Sequence, residues 1–563
     1  MNSTTHATLA EVDYVIIGAG SAGCVLANRL SADPGITVAI IEAGGPDRHP
    51  MIKMPVGFLR ALMRPELGWG LSSEPEPELH GRRIPLPRGK VHGGSSSING
   101  MFHIRGHRLD FDAWRDDAGC RGWGYDDVLP YFRRSETSWR GAGRFHGADG
   151  PLRIRPIDTR GLLAEPLIDA ARAAGHELLD DYDGEHQIGI ARGEVAIDAR
   201  GRRSSSASAY LRPALGRRNL HLFDRARVTR LLFEGASAAG VVIDRAGRRE
   251  SIRARREVLI CAGAYHSPQL LMLSGIGPAA ELQALGIEVR ADSPRVGANL
   301  IEHPRMMHAY RARGPITYLN QMRFDRAALA ALRWAVFGSG PFANQICSAT
   351  VLLRTDPSLT RPDIQLLCNP IRLDAALWFP GVRPVGEHSF YITVCLLHQK
   401  SRGRVSLRSA DPGDAPRVEL KLFSHPDDLA TMRAGLRAAR AIYAQPAMAA
   451  LIEAETIPGA DRQSDAALDA SIRELGGITH HPVGTCAMGG DPGSVLDPQL
   501  RVRGVTALRV VDASVMPTIT GANTNAATVM IAERAADLIL GRLAEGSDAG
   551  VSAAERNPEP AVG

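Results

Sequence analysis

The 563-residue sequence predicts an α/β protein, α+β overall. A Rossmann-type domain is assembled from separate stretches of chain, and a second domain, built on an antiparallel sheet backed by helices, is inserted between them. Three observations predict this. Near the N-terminus a short, continuously apolar run passes into a glycine-rich turn and then into a segment of helical spacing. Strand-to-turn units of the same kind recur at Val258-Leu-Ile and Leu508-Arg-Val-Val. Between them lie segments whose apolar residues alternate, the period-two pattern of antiparallel strands.

The first unit is Tyr14-Val-Ile-Ile17, apolar throughout as a strand buried on both faces should be. Gly18-Ala-Gly20-Ser21-Ala22-Gly23 follows, then Cys-Val-Leu-Ala-Asn-Arg-Leu30 with helical spacing, and a second apolar run, Val38-Ala-Ile-Ile41, ending at Glu42. G-x-G-x-x-G between strand and helix, with an acid closing the next strand, points to a dinucleotide site. Gly18 permits the turn, Gly20 lets the backbone approach a pyrophosphate, and Gly23 lets helix and strand pack closely. The helix N-terminus offers free N–H groups to phosphate, and Glu42 can accept from ribose hydroxyls. The motif alone does not separate NAD from FAD.

A second glycine-rich patch, Pro87-Arg-Gly-Lys-Val-His-Gly-Gly-Ser-Ser-Ser-Ile-Asn-Gly-Met101, carries many N–H and hydroxyl donors suited to phosphate or to an acceptor-rich ring edge. The third, Val258 to Gly277, reads as a buried strand, a Gly-Ala turn, a helix started by Ser267-Pro268 and a glycine stop. The fourth is a strand ending in Asp512, followed by small residues. Of the intervening segments, Asp363-Ile-Gln-Leu-Leu-Cys, Ser389-Phe-Tyr-Ile-Thr-Val-Cys and Gly403-Arg-Val-Ser-Leu-Arg read as half-exposed antiparallel strands, and Pro426 to about Tyr443 as a helix. The expected division gives 11–150, 201–304 and 478–544 to the cofactor domain and 151–200 and 305–477 to the substrate domain. Residues 1–10 and 545–563 are expected to be disordered tails.

Composition narrows the function classes. The net charge, 66 − 61 = +5, is small for this length and gathers in no basic block, which argues against a nucleic-acid partner. Seven scattered cysteines without a C-x-x-C exclude a disulfide framework or zinc cage and point to a reducing compartment. No run of about 20 apolar residues occurs, so no spanning helix is expected. The expectation is a cytoplasmic protein, with peripheral contact with the inner membrane left open.

The most pointed stretch is Ile478-Thr-His-His-Pro-Val-Gly-Thr. Adjacent histidines face apart on regular backbone, and no H-E-x-x-H or neighbouring carboxylate accompanies them, so no metal site is expected. Packing and a single catalytic base remain as readings.

Taken together, these pieces resemble the glucose–methanol–choline (GMC) family of FAD-dependent oxidoreductases from about Asp13 to about Leu540, with the closest look to bacterial alcohol and choline-dehydrogenase-like members. The resemblance implies non-covalent FAD. Gly18, Gly20, Ser21, Ala22, Gly23, Glu42 and Ala43 would hold its ADP half, with Val228 at the adenine and Ala262 and Gly263 closing that side. Gly93, Gly94, Ser95, Asn99, Gly100 and Met101 would run along pyrophosphate and flavin. Asp512, Ala513, Asn523 and Thr524 would lie near the ribityl chain and ring. Some relatives attach FAD through a histidine where this chain has Ile98, which cannot form that bond. His92 and His103 also depart from the family pattern, which is usually aliphatic and aromatic there.

The family places its catalytic histidine at His481, leaving His480 to face elsewhere. It places the partner, His or Asn, at what is read as Asn525, with Asn523 at a less critical position. The implied reaction is oxidation of a primary alcohol to an aldehyde, with hydride passing to flavin N5 and a histidine base taking the proton. The electrons then pass to oxygen, a quinone or another carrier. A hydroxynitrile-lyase-like reaction and a light-driven fatty-acid decarboxylation are the alternatives on this scaffold. Choline-oxidising relatives carry a carboxylate where this chain has Arg305, so an uncharged aliphatic or aromatic alcohol is the expected substrate.

Overall fold

The computed structural model describes residues 7–372 and 374–543. Two large sheets organise them. The first runs in the order Arg227–Glu234, Ser237–Arg245, Arg248–Ile260, Ala7–Ile17, Val38–Ile41, Leu220–Phe223, with Leu508–Val510 added against Val258–Ile260. The last four strands of that order and Leu508–Val510 are mutually parallel. The long strand Arg248–Ile260 changes partner along its length: its first half pairs antiparallel with the hairpin strand Ser237–Arg245, and its end pairs with Leu508–Val510. All four residues of Val38–Ile41 are buried, as their unbroken apolar pattern requires.

Helices Ser21–Leu30 and Asn525–Ile539 pack against each other on this sheet. A fully buried carboxylate, Glu533, holds the junction. It accepts from the guanidinium groups of Arg29 and Arg134 and from the Tyr210 hydroxyl. A buried charge persists when it is paired and hydrogen-bonded in this way.

The N-terminal expectation needs correcting. Residues 7–10 are not a tail: they extend the first strand, with Ala7 opposite Glu250 and Thr8 opposite Ser251. Residues 1–6 and 545–563 lie outside the described part of the chain.

The second sheet runs Ile452–Ile457, Pro304–Ala312, Ser389–Leu396, Ile364–Asn369, Ala349–Leu353, Gly189–Ala191, antiparallel throughout, and Gly477–Ile478 joins the start of Pro304–Ala312. Helix Pro426–Tyr443, where its apolar spacing places it, covers one face and buries Met306, Tyr310, Leu366, Ile392 and Val394 with its own Met432 and Leu436. At Gly435 the helix comes so close that a Cβ would sit 2.8 Å from Ile364. Of the strands expected to be half-exposed, Ile364–Asn369 and Ser389–Leu396 are buried on both faces, because the face away from the helix closes over a cavity against the first sheet, whereas Arg404–Ser406 keeps the alternating burial expected of it. Arg404–Ser406 stays out of this sheet and pairs with Arg417–Glu419 in a separate ribbon.

One helix start also differs. Helix Gly263–Leu273 begins five residues before Pro268. The Asp512 carboxylate accepts from the Gly263 N–H at 2.9 Å and from the Ser267 hydroxyl at 2.6 Å, and so fixes the first turn. No helix among the described residues is long and apolar enough to cross a membrane.

Candidate active site

The two sheets enclose a cavity of ≈ 490 Å³. Its floor is the first glycine turn. Gly18 has φ +99°, and a Cβ on it would lie 2.6 Å from the Cys261 carbonyl oxygen; one on Gly23 would lie 1.9 Å from the Gly18 carbonyl oxygen. Only glycines let strand and helix close at this distance. The Glu42 carboxylate accepts from the Ala19 N–H at 2.9 Å and from the Gly44 N–H at 2.8 Å. Burial still pushes its pKa up, to about 7.

The second glycine patch lies directly on the first. A Cβ on Gly94 would come within 2.8 Å of Gly20 Cα. Gly94, Ser95, Asn99, Gly100 and Met101 line the cavity with Gly18, Gly20, Ser21, Ala22, Glu42 and Ala43. Gly23 and Gly93 do not. Gly23 packs against Gly18, and Gly93 lies behind the patch against Ser97 and Ala207. Val228, Ala262, Gly263, Asp512 and Ala513 line the same cavity, as do Asn523, Thr524 and Asn525. Among the described residues, no group of His, Cys, Asp or Glu is arranged to hold a metal ion.

These residues fit FAD. The helix from Ser21 has no side-chain cap, which leaves first-turn N–H groups for a diphosphate. Gly20 and Gly94 leave bare backbone beside them. Ile98, the position of covalent attachment in some relatives, is an aliphatic residue packed with Ile52 and Val91. The patch is held from outside by Arg203, which the sequence reading missed. Its buried guanidinium donates to the carbonyls of Ile52, Ser96 and Asn99 and to the Asn99 side chain. His103 is a structural residue bound to Glu136, and His92 lies near Asp224, away from the cavity lining.

His481 stands at the other end of the lining. Its Nδ1 lies 3.1 Å from His303 Nδ1 and 3.0 Å from Thr479 Oγ1, and its Nε2 lies 3.1 Å from Asn523 Nδ2. The tautomer follows from the partners. His303 Nε2 is 3.1 Å from the Leu397 carbonyl oxygen and must donate to it, so His303 Nδ1 is an acceptor. The Thr479 hydroxyl lies 3.3 Å from the His303 carbonyl oxygen and donates there. His481 therefore carries its proton on Nδ1, shared between Thr479 Oγ1 and His303 Nδ1, and its Nε2 lone pair accepts from Asn523 Nδ2–H. Burial, with His303, His480 and Arg88 nearby, holds the His481 pKa well below the usual histidine value. The imidazole is thus neutral. Its backbone N–H donates to the buried Glu302 carboxyl, whose pKa burial raises to about 8.

The partner amide is not where the sequence reading put it. Asn523, not Asn525, meets His481. The Asn525 side chain accepts from the Ser21 hydroxyl at 2.8 Å and ties the last helix to the first glycine turn. Asn525 opens its helix and Thr524 is the N-cap, so the loop ending at Asn523 turns that side chain towards the base. The loop is anchored by Asp110, which accepts from the Gly521 N–H at 2.7 Å, and by Trp114, whose indole donates to Thr518. His480, which was expected to face elsewhere, has φ +68° and lines the same cavity, with its Nδ1 buried and unpartnered. Glu302, His303 and Asp110 carried no spacing signal, since they meet the site only through the fold, and Thr479 was in the quoted stretch without a role.

Comparison with known proteins identifies the family. The family model described as GMC oxidoreductase matches in two parts, residues 12–305 and 399–532. The chain is 42% identical over 534 residues to an oxygen-dependent choline dehydrogenase of Sinorhizobium fredii, covering 94% of this chain and 96% of that one. It is 43% identical over 535 residues to one of Rhizobium etli, with the same coverage. Among solved structures, pyridoxine 4-oxidase from Mesorbium loti superposes with a TM-score of 0.84 at 33% identity, over 93% of this chain and 98% of that one. A formate oxidase variant from Aspergillus oryzae, studied for modification of its FAD, gives 0.88 at 27% identity, over 95% and 99%. A glycine cradle cut for FAD, a neutral buried histidine facing it and these likenesses along nearly the whole chain converge: the chain belongs to the GMC oxidoreductase family and is an FAD-dependent oxidoreductase.

Proposed function

We propose that this protein oxidises a primary alcohol to an aldehyde, with His481 as general base and Asn523 as the group that holds the alcohol oxygen. The observation that carries the reading is the contact of His481 Nε2 with the Asn523 amide on the lining of the FAD cavity, where Nε2 accepts from Asn523 Nδ2–H until an alcohol oxygen comes between them. Bound FAD supplies the hydride acceptor, N5 of its ring. His481 Nε2 takes the hydroxyl proton, while Nδ1–H stays with Thr479 and His303 and keeps the ring in place. Asn523 Nδ2 donates to the alcohol oxygen and stabilises negative charge as it develops there. A positioned base and a fixed donor each contribute orders of magnitude in rate. Oxygen, or a quinone or other carrier, then takes the electrons.

Choline is a second reading, favoured by the names of the relatives at 42–43% identity. Against it, a cation, Arg305, stands in the cavity wall, and among the described residues the lining carboxylates, Glu42 and Asp512, are both engaged by backbone N–H groups. The test is an anaerobic panel of primary alcohols, choline included, on purified holoenzyme. Bleaching of the flavin by at least one neutral or anionic primary alcohol, and weak or absent bleaching by choline, is expected. A flavin that no alcohol bleaches would overturn the reading, and bleaching by choline alone would decide for the second.

A further inference from the structure

Arg305 is the second residue of the strand Pro304–Ala312, opposite Cys395. Two residues on, Met307 lies opposite Thr393, which in turn lies opposite Leu367. Alternation therefore puts Arg305, Thr393 and Leu367 on one face of the sheet, and all three line the cavity. The other face, with Met306 and Val394, belongs to the core under helix Pro426–Tyr443. Arg305 Nε donates to the Ile478 carbonyl oxygen at 2.7 Å, which holds the guanidinium close to the segment bearing His481.

The rest of that guanidinium has no protein partner among the described residues. The acids of the lining are Glu42 and Asp512, and both are taken by backbone N–H groups of the cofactor half. The other lining cations are accounted for. Arg88 donates to the carbonyls of Pro87 and His480, and Arg227 lies over the Trp69 ring next to Val228, on the cofactor side. Among the described residues, Arg305 alone combines a fixed orientation, two terminal nitrogens without acceptors and a place on the substrate wall. Burial holds its pKa below the ordinary arginine value, the mark of a cation that lacks its counter-ion. A planar fork with both ends open matches a carboxylate.

We infer that the substrate is a primary alcohol bearing a carboxylate, and that Arg305 binds this carboxylate while His481 takes the hydroxyl proton. This rests on the alcohol-oxidation reading and replaces the uncharged alcohol expected from the sequence. In the reaction R–CH2OH becomes R–CHO. The hydroxyl proton goes to His481 Nε2, the hydride goes to FAD, and the carboxylate is unchanged.

Two measurements on the holoenzyme test it. The first compares benzyl alcohol with 4-(hydroxymethyl)benzoate in anaerobic flavin reduction, for the wild type, Arg305→Met and Arg305→Lys. The second titrates benzoate, which cannot be oxidised, by its perturbation of the flavin spectrum. The wild type should prefer the anionic alcohol, and Arg305→Met should reduce the ratio of the two kcat/KM values by about 10- to 100-fold, the usual effect of one charged hydrogen-bonded contact. The loss should fall on KM for the anion, benzoate binding should weaken likewise, and Arg305→Lys should restore part of both. A wild type that treats the two alcohols alike, or a ratio unmoved by Arg305→Met, would overturn the inference. If benzyl alcohol bleaches the flavin and benzoate does not bind, the anion site fails and alcohol oxidation stands. If benzoate binds through Arg305 and neither alcohol bleaches the flavin, the anion site stands and alcohol oxidation fails.

Discussion

A single proton position organises the catalytic residues. His303 is locked by the Leu397 carbonyl, so His481 must point Nδ1–H at His303 and Thr479 and present Nε2 to the cavity. Replacing His303 with alanine should loosen the tautomer and lower the rate of flavin reduction by roughly 10-fold, a fraction of what loss of the base itself would cost. The two asparagines give a sharper test. Asn523→Ala should slow flavin reduction by alcohol by about 10²-fold, as loss of a donor to a developing oxyanion does. Asn525→Ala should act mainly on FAD affinity, through the lost bond to Ser21. Rapid-reaction rates and FAD titrations on both variants separate these effects, and a larger rate loss at Asn525 would reverse the assignment. His481 was legible because the His-Pro-Val-Gly-Thr run is distinctive. The choice between two asparagines two residues apart was not, because it depends on where the helix starts and which way the preceding loop turns.

At the scale of elements, the cofactor cradle is two glycine loops in contact. The sequence showed both loops and the helix after the first, because glycine spacing and apolar runs are local signals. Their contact through Gly20 and Gly94 is tertiary and left no local trace. Gly94 has φ +52°, and a Cβ there would press on Gly20 Cα at 2.8 Å. Gly94→Val should therefore weaken FAD binding by at least 10-fold with little change in helix content, as measured by FAD titration and circular dichroism; unchanged affinity would disprove the contact's importance. The strand segments of the second sheet were equally legible from alternation, but their burial was misjudged. A strand that faces a cofactor cavity on one side and a helix on the other carries the same pattern as one that faces water.

For the whole molecule, the burial of titratable groups around the cavity predicts how stability varies with pH. Burial pushes the pKa values of His266, His303, His398 and His480 down to about 3, and that of His481 well below its ordinary value. Unfolding lets all five take up protons below about pH 6.5. Their contribution is present above that pH and is lost as the pH falls. Glu42 and Glu302 act in the opposite sense. Burial raises them to about 7 and about 8, so their contribution is present below about pH 4.5 and is lost as the pH rises through those values. The apoprotein should thus be most stable near pH 6.5, with a steeper acid limb, each uncompensated proton contributing about 1.4 kcal/mol per pH unit. Thermal melts between pH 4.5 and 8.5 check this, and a melting temperature that climbs steadily across the range would contradict it.

The most direct measurement is anaerobic stopped-flow reduction of the flavin in His481→Ala holoenzyme, using whichever alcohol bleaches the wild type. With His481 as the base, the limiting rate of reduction falls by about 10²-fold or more while FAD remains bound. A limiting rate equal to that of the wild type would remove His481 from the chemistry.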